Sequence, residues 1–124
     1  MIQTSKAPAP IGPYSQAVKA NGMVFISGQV AFDPATETLK MGSIQEETHQ
    51  VMHNLQAILT EAKLDFNHVV KTSIFLSDMG LFAQVNEVYA TYFNGDEPAR
   101  ETVAVKTLPR NVNVEISMIA VVDL

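Results

Sequence analysis

Residues 97–105 read Glu97-Pro98-Ala99-Arg100-Glu101-Thr102-Val103-Ala104-Val105. Proline and alanine lead into a β-branched run, so the segment reads as a strand that opens on a guanidinium. Arg100 is one of only two arginines in the chain. Its planar fork of donors is always charged and matches a carboxylate. Two readings are open at this point. Arg100 is either an edge arginine paired with a surface carboxylate, the commoner situation, or a receptor for an anionic ligand.

Outward from this strand the chain alternates helical and extended patterns. Downstream, Leu108-Pro109-Arg110-Asn111 is a turn and Asn113 to Val122 is the last strand. Upstream, Val51, Leu55, Ile58, Leu59 and Ala62 form one apolar stripe at helical spacing, behind the capping box Ser43-Ile44-Gln45-Glu46. The β-branched run Val69 to Leu76 is a buried strand. Asp78 can cap a second helix, whose stripe is Leu81, Phe82, Val85, Val88, Tyr89, Tyr92 and Phe93, with Gly95 as its expected C-terminal cap. Near the start, Gly12-Pro13 turns the chain and Asn21-Gly22 signals a hairpin. Met23 to Phe32 is a strand in which Gly28 marks a bulge or a close backbone approach. Asp33-Pro34-Ala35-Thr36 is a turn. The order is ββαβαββ: an α+β chain, one domain over residues 1–124, with two helices covering one face of a single sheet.

Strand alternation assigns faces. Val112, Val114, Ile116 and Met118 share one face of the last strand; Asn113, Glu115 and Ser117 share the other, continuing into Ile119 and Val121. Val103 and Val105 oppose Arg100, Thr102 and Ala104. With the valine-rich faces taken as helix-covered, Arg100, Thr102 and Glu115 point to the uncovered face. The short turn at Pro109 makes the two strands antiparallel neighbours, which puts Arg100 within reach of Glu115. The uncovered face is half apolar, and such faces seek a partner subunit, so an oligomer with polar clefts between subunits is expected.

Composition narrows the function. With 47% apolar and 17% charged residues over 124 positions the chain is globular. No apolar run reaches a membrane span and the N-terminus has no apolar signal core, so a cytoplasmic location is expected. Cysteine is absent, which removes disulfides and thiolate chemistry. The net charge is −5 and the eight cationic side chains are scattered singly, which disfavours nucleic acid. His49 and His53, an i, i+4 pair, lie opposite the apolar stripe with no third ligand nearby; they read as exposed surface rather than a metal site. The six methionines read as core filler.

The chain resembles the RidA family, also called YjgF. The resemblance runs along nearly its whole length, through Gly12-Pro13-Tyr14-Ser15-Gln16-Ala17, Ser27-Gly28-Gln29, Asp33-Pro34-Ala35-Thr36, Val69-Val70-Lys71-Thr72, Val85-Asn86-Glu87-Val88-Tyr89, Pro98-Ala99-Arg100, Leu108-Pro109 and Val114-Glu115-Ile116. It implies a chorismate-mutase-like fold, a homotrimer around the uncovered sheet face with clefts between subunits, and no cofactor. It also implies hydrolysis of 2-iminopropanoate and 2-iminobutanoate, which arise from enamines, to keto acids and ammonia.

Matched position by position, Arg100 corresponds to the arginine that holds the substrate carboxylate and Glu115 to the glutamate that positions the attacking water. Tyr14, Ser27, with Gly28 beside it, and Asn86 correspond to residues lining the cleft. Thr102 stands where many members have cysteine, a position used through its main chain. Glu101 replaces a serine or threonine, and Glu37 replaces a common glycine that serves a positive φ. Each residue has a structural alternative: Tyr14 packed on the sheet, Ser27 bonded to backbone, Asn86 a helix-edge amide, Glu115 a salt-bridge partner of Arg100. The alternative function is a non-catalytic trimer of the same fold that binds small carboxylates or acts as a holdase. A hydrolase of larger enamines and a chorismate mutase analogue also compete, the latter short of cationic groups. Ribonuclease activity, also associated with the family, sits poorly with the acidic charge.

Overall fold

Asn21 and Gly22 both take left-handed backbone angles, φ 51° and 73°, the combination that matches a two-residue turn to the twist of its flanking strands. They join β1 (Ala17–Ala20) to β2 (Met23–Gln29), and the structure, a computed structural model, describes residues 1–123. Beyond β2 the turn at Asp33 is flanked by two-residue strands, β3 (Phe32–Asp33) and β4 (Thr38–Leu39), a ribbon outside the main sheet. Helix α1 (Ile44–Glu61) follows, then β5 (Val69–Leu76), α2 (Phe82–Ala90), β6 (Ala99–Ala104) and β7 (Val114–Val121).

The helix starts follow the sequence signals. Ser43 Oγ accepts from Glu46 N at 3.0 Å at the start of α1. Asp78 Oδ1 accepts from Gly80 N at 2.7 Å and caps a 3-10 turn, Met79–Leu81, that feeds α2. The C-terminal expectation for α2 is corrected. The helix ends at Ala90, so Tyr92 and Phe93 lie beyond it and Gly95, at φ 107°, belongs to the following loop.

The five-stranded sheet has the order β1-β2-β7-β5-β6 and is mixed. β5 and β6 are parallel, as a strand–helix–strand unit requires; the other pairings are antiparallel. The expectation that β6 and β7 are neighbours is therefore corrected. They do run in opposite directions, but β5 lies between them. The segment 105–113 crosses the end of β5, where Val105 N donates to Leu76 O at 2.9 Å and Ser77 N donates to Asn113 O at 3.0 Å.

Both helices pack on one face. Val51, Met52, Leu55, Ile58 and Leu59 of α1 are buried against Val24 and Ile26 of β2, Ile74 and Leu76 of β5, and Val114, Ile116 and Met118 of β7. A buried carboxylate joins this packing. Glu47, 1% exposed, accepts from Asn113 N at 2.8 Å, Asn113 Nδ2 at 2.9 Å and Val114 N at 3.0 Å. It thereby ties the first turn of α1 to the start of β7. Asn54 Nδ2 donates to Val30 O and Phe32 O at 3.0 and 2.9 Å and fixes the exit of β2.

Candidate functional site

The residues singled out from sequence fall into two groups, one on each face of the sheet. The first is built on β6 and α2. Parallel register pairs Arg100 with Thr72 and Thr102 with Ile74, both buried beneath the helices. Arg100 and Thr102 therefore point toward α2. The valine-rich face of β6 is the open one, with Val103 43% exposed. This corrects the face assigned to Arg100 and Thr102 by alternation. The valines of β6 mark the uncovered surface, not the helix contact.

On α2, Asn86 Oδ1 accepts from Arg100 Nη1 at 2.7 Å. The guanidinium carbon lies 5.1 Å from the centre of the Tyr89 ring and 5.6 Å from that of Phe82, within cation–π range of both. Tyr89 is itself anchored, its hydroxyl donating to Thr72 Oγ1 at 3.1 Å in the core. Burial raises the Tyr89 pKa, opposed by that hydrogen bond and by the Arg100 charge. Arg100 is half-buried, and among the described residues it forms no salt bridge. A guanidinium oriented in this way has the geometry to receive a carboxylate. The Thr102 hydroxyl, two residues along the same face, is buried without a hydrogen-bond partner.

The second group lies on the open face, on β2 and β7. Glu115 pairs in register with Phe75, whose side chain is on that face. Its carboxylate packs on Gly28, where an added Cβ would sit 2.6 Å from Oε2 and 2.8 Å from Cδ. Only glycine leaves this room. The β2–β7 register shifts between Ile26 and Gln29 at the same place, so Gly28 is both the bulge and the close approach expected. Glu115 accepts no hydrogen bond among the described residues, and burial pushes its carboxyl above the usual carboxylate range. Ser27 Oγ donates to Ser15 O at 2.6 Å and pins the loop that carries Tyr14, itself 52% exposed.

Arg100 and Glu115 thus stand two strands apart, roughly 10 Å across the sheet, with side chains on opposite faces. Within one chain they do not meet. Glu101 points to the open face, away from Arg100, as alternation requires; it accepts from Ser73 Oγ and pairs with Lys71 Nζ at 2.9 Å. The Ser73 hydrogen bond, then Lys71, lowers its pKa. Its charge is thus taken up on that face rather than beside Arg100.

The sequence of this chain matches the family described as Endoribonuclease L-PSP over residues 4–122. The chain belongs to the RidA (YjgF) family. A relative in Mus musculus bearing the name 2-iminobutanoate/2-iminopropanoate deaminase is 52% identical over 121 residues, which cover 98% of this chain and 90% of that one. The fold is that of solved Rid proteins. The Rid-family protein YyfA from Yersinia pestis superposes with a TM-score of 0.94 at 44% identity, covering 97% of this chain and 96% of that chain. RidA from an Antarctic Psychrobacter superposes with a TM-score of 0.92 at 44% identity, over 97% of each chain.

Three residues that orient or anchor these groups were not singled out from sequence for that part. Phe82 and Tyr89 were read only as part of an apolar stripe. Their signal is spacing, since with Asn86 they stand at i, i+4 and i+7, one face of α2. Glu47 stands at stripe spacing with Val51, Leu55 and Ile58, and an acid on an apolar stripe is a buried acid needing donors. His49 and His53 are exposed as expected, and His49 Nδ1 bonds the Tyr92 hydroxyl at 2.7 Å. Among the described residues no group of three or more metal-ligating side chains forms, and no helix is long and apolar enough to cross a membrane.

Proposed function

We propose that this RidA-family protein hydrolyses 2-imino acids, 2-iminopropanoate and 2-iminobutanoate among them, to 2-keto acids and ammonia in a site assembled between copies of the chain. The observation that carries the reading is Arg100, oriented by Asn86, Phe82 and Tyr89 and left without a carboxylate. The name of the mouse relative gives the same chemistry.

Arg100 grips the substrate carboxylate through paired hydrogen bonds and so fixes the adjacent imine carbon. Water adds to that carbon. Glu115 takes a proton from the water, and the raised pKa caused by its burial suits it to hold that proton and return it to nitrogen. Collapse of the carbinolamine breaks the C–N bond, releasing ammonia and the keto acid. Tyr14, on an exposed loop beside the Ser27–Gly28 bulge, closes the cleft.

Glu115 of the same chain lies on the wrong face to serve Arg100, so the glutamate comes from a neighbouring copy. The open face favours such assembly. Val18, Phe25 and Val103 are 44%, 42% and 43% exposed there, a large apolar area for a lone subunit. Three copies packed around it give the homotrimer that the family resemblance implies. The net charge of −5 offers an RNA backbone no attractive field.

Imines generated in situ by an amino-acid oxidase test the activity. The wild-type protein is expected to speed release of keto acid and ammonia, and Arg100→Ala to lower kcat/KM by ~10²-fold or more, about 2.7 kcal/mol, while staying folded. A folded Arg100→Ala variant with full activity would overturn the role of Arg100. Keto-acid binding with no rate acceleration would make the protein a carboxylate-binding member of the same fold.

A further inference from the structure

Five non-glycine residues have positive φ: Asn21, Glu37, Lys63, Arg110 and Asn111. At three of them the residue type or the position makes this conformation ordinary. Asn21 and Asn111 belong to the residue type that tolerates this conformation best. Lys63 closes α1, where Lys63 N donates to Thr60 O and Leu64 N to Leu59 O, the usual place for a left-handed residue. Glu37 and Arg110, at φ 56° and 57°, sit in turns closed by Glu37 N donating to Asp33 O and Val112 N donating to Pro109 O, but neither is a residue type that favours this conformation. Glycine or asparagine would sit more comfortably at both positions. Instead the chain carries opposite charges there, and the two side chains line the same cavity, of about 520 Å³.

The cavity lies between the N-terminal segment, the Tyr14 loop and the β3–β4 ribbon, and neither Arg100 nor Glu115 lines it. The guanidinium carbon of Arg110 is stacked 4.9 Å from the centre of the Phe32 ring, which holds the charge at the wall. Neither Arg110 nor Glu37 forms a salt bridge among the described residues. Ser5 and Tyr14 add hydroxyls with no side-chain hydrogen bond among the described residues, and Ile11 adds an apolar wall, 75% exposed.

We infer that this cavity binds a free α-amino acid with an apolar side chain. Arg110 takes the carboxylate, Glu37 the ammonium, and Ile11 and Phe32 the side chain. Glu37 sets the selectivity: it repels phosphates and dicarboxylates and leaves a keto acid without a partner for its second end. The site contains neither Arg100 nor Glu115, shares only Tyr14 with the proposed catalytic cleft, and stands whether or not the protein deaminates imines.

L-leucine, 4-methyl-2-oxopentanoate and 3-methylbutylamine probe the zwitterion requirement by calorimetry. L-leucine is expected to bind saturably, and each singly charged analogue ~10-fold or more weaker. Arg110→Gly and Glu37→Gly remove one charge each while relieving the backbone. Both are expected to fold at least as stably as wild type, to weaken L-leucine ~10-fold or more, and to leave imine hydrolysis unchanged. Arg100→Ala is expected to leave L-leucine binding intact. Absence of saturable L-leucine binding, wild-type affinity in Arg110→Gly, equal binding of the keto acid, or loss of binding in Arg100→Ala would each overturn the inference.

Discussion

Glu115 carries a cost that its role explains. Burial raises its carboxyl pKa. Between the ordinary carboxylate range and the raised value the folded chain keeps a proton that the unfolded chain has released, so stability falls as pH rises through that window. Glu115→Gln removes the ionisable group. Its melting temperature is expected to match wild type well below the ordinary carboxylate range and to exceed it at neutral pH, with imine hydrolysis lost. Calorimetric scans from about pH 2.5 to about pH 8 check this. In the wild type, hydrolysis should rise with pH as the base form of Glu115 appears, with its acid limb above the ordinary carboxylate range. Gly28→Ala tests the same carboxylate by crowding. The added methyl meets the flexible end of a side chain, so the fold should survive while activity falls toward that of the Glu115 variant. Asn86→Ala removes one guide of the guanidinium and is expected to raise KM ~10-fold with a smaller change in kcat.

At the level of elements, Glu47 holds α1 to β7 through three donors from Asn113 and Val114, immediately before Glu115. Glu47→Ala leaves two backbone N–H groups, a buried one of Val114 and a half-buried one of Asn113, without their acceptor. The expected loss is about 3 kcal/mol, read as a shift of the urea midpoint with unchanged slope. Periodicity was enough for α1 and β7, where one face is plainly more apolar than the other, and β-branching was enough for β5. Alternation failed on β6 because Val103 is apolar for a different reason: it belongs to a face the helices do not cover. A rule that sends apolar side chains toward the helices cannot serve a strand with business on both sides. The neighbour error has a similar root. A short turn suggested a hairpin, whereas the helix between β5 and β6 demanded parallel pairing. Gly28 was legible because a glycine weakens a β-branched strand unless a bulge or a close contact requires it. The Phe82–Asn86–Tyr89 grip on Arg100 was not, since each residue alone passes for ordinary helix surface or core.

For the whole molecule, the proposed roles of Arg100 and Glu115, set against their separation within one chain, require assembly for activity. Light scattering is expected to give about three times the 13.5 kDa chain mass. Phe25→Asp, which places a charge on the open face, should give folded monomers without imine hydrolysis. Arg100→Ala and Glu115→Gln are each expected to be inactive alone. Mixed and reassembled, they should recover about a quarter of wild-type activity, the chance that two independent halves are both intact. No recovery in demonstrably mixed trimers would place both residues in one subunit's site.

The position of β7 sets the order in which the molecule can be made. It is the last strand in sequence yet lies in the middle of the sheet, holding β2 on one side and β5 on the other. A chain emerging from the ribosome can form the first hairpin, α1 and the β5–α2–β6 unit, but these pieces share no sheet until residues 114–121 arrive. Pairings that span most of the chain are slow to close and leave strand edges open meanwhile. Ribosome-bound chains halted before Val114 should therefore be protease-sensitive and prone to capture by chaperones.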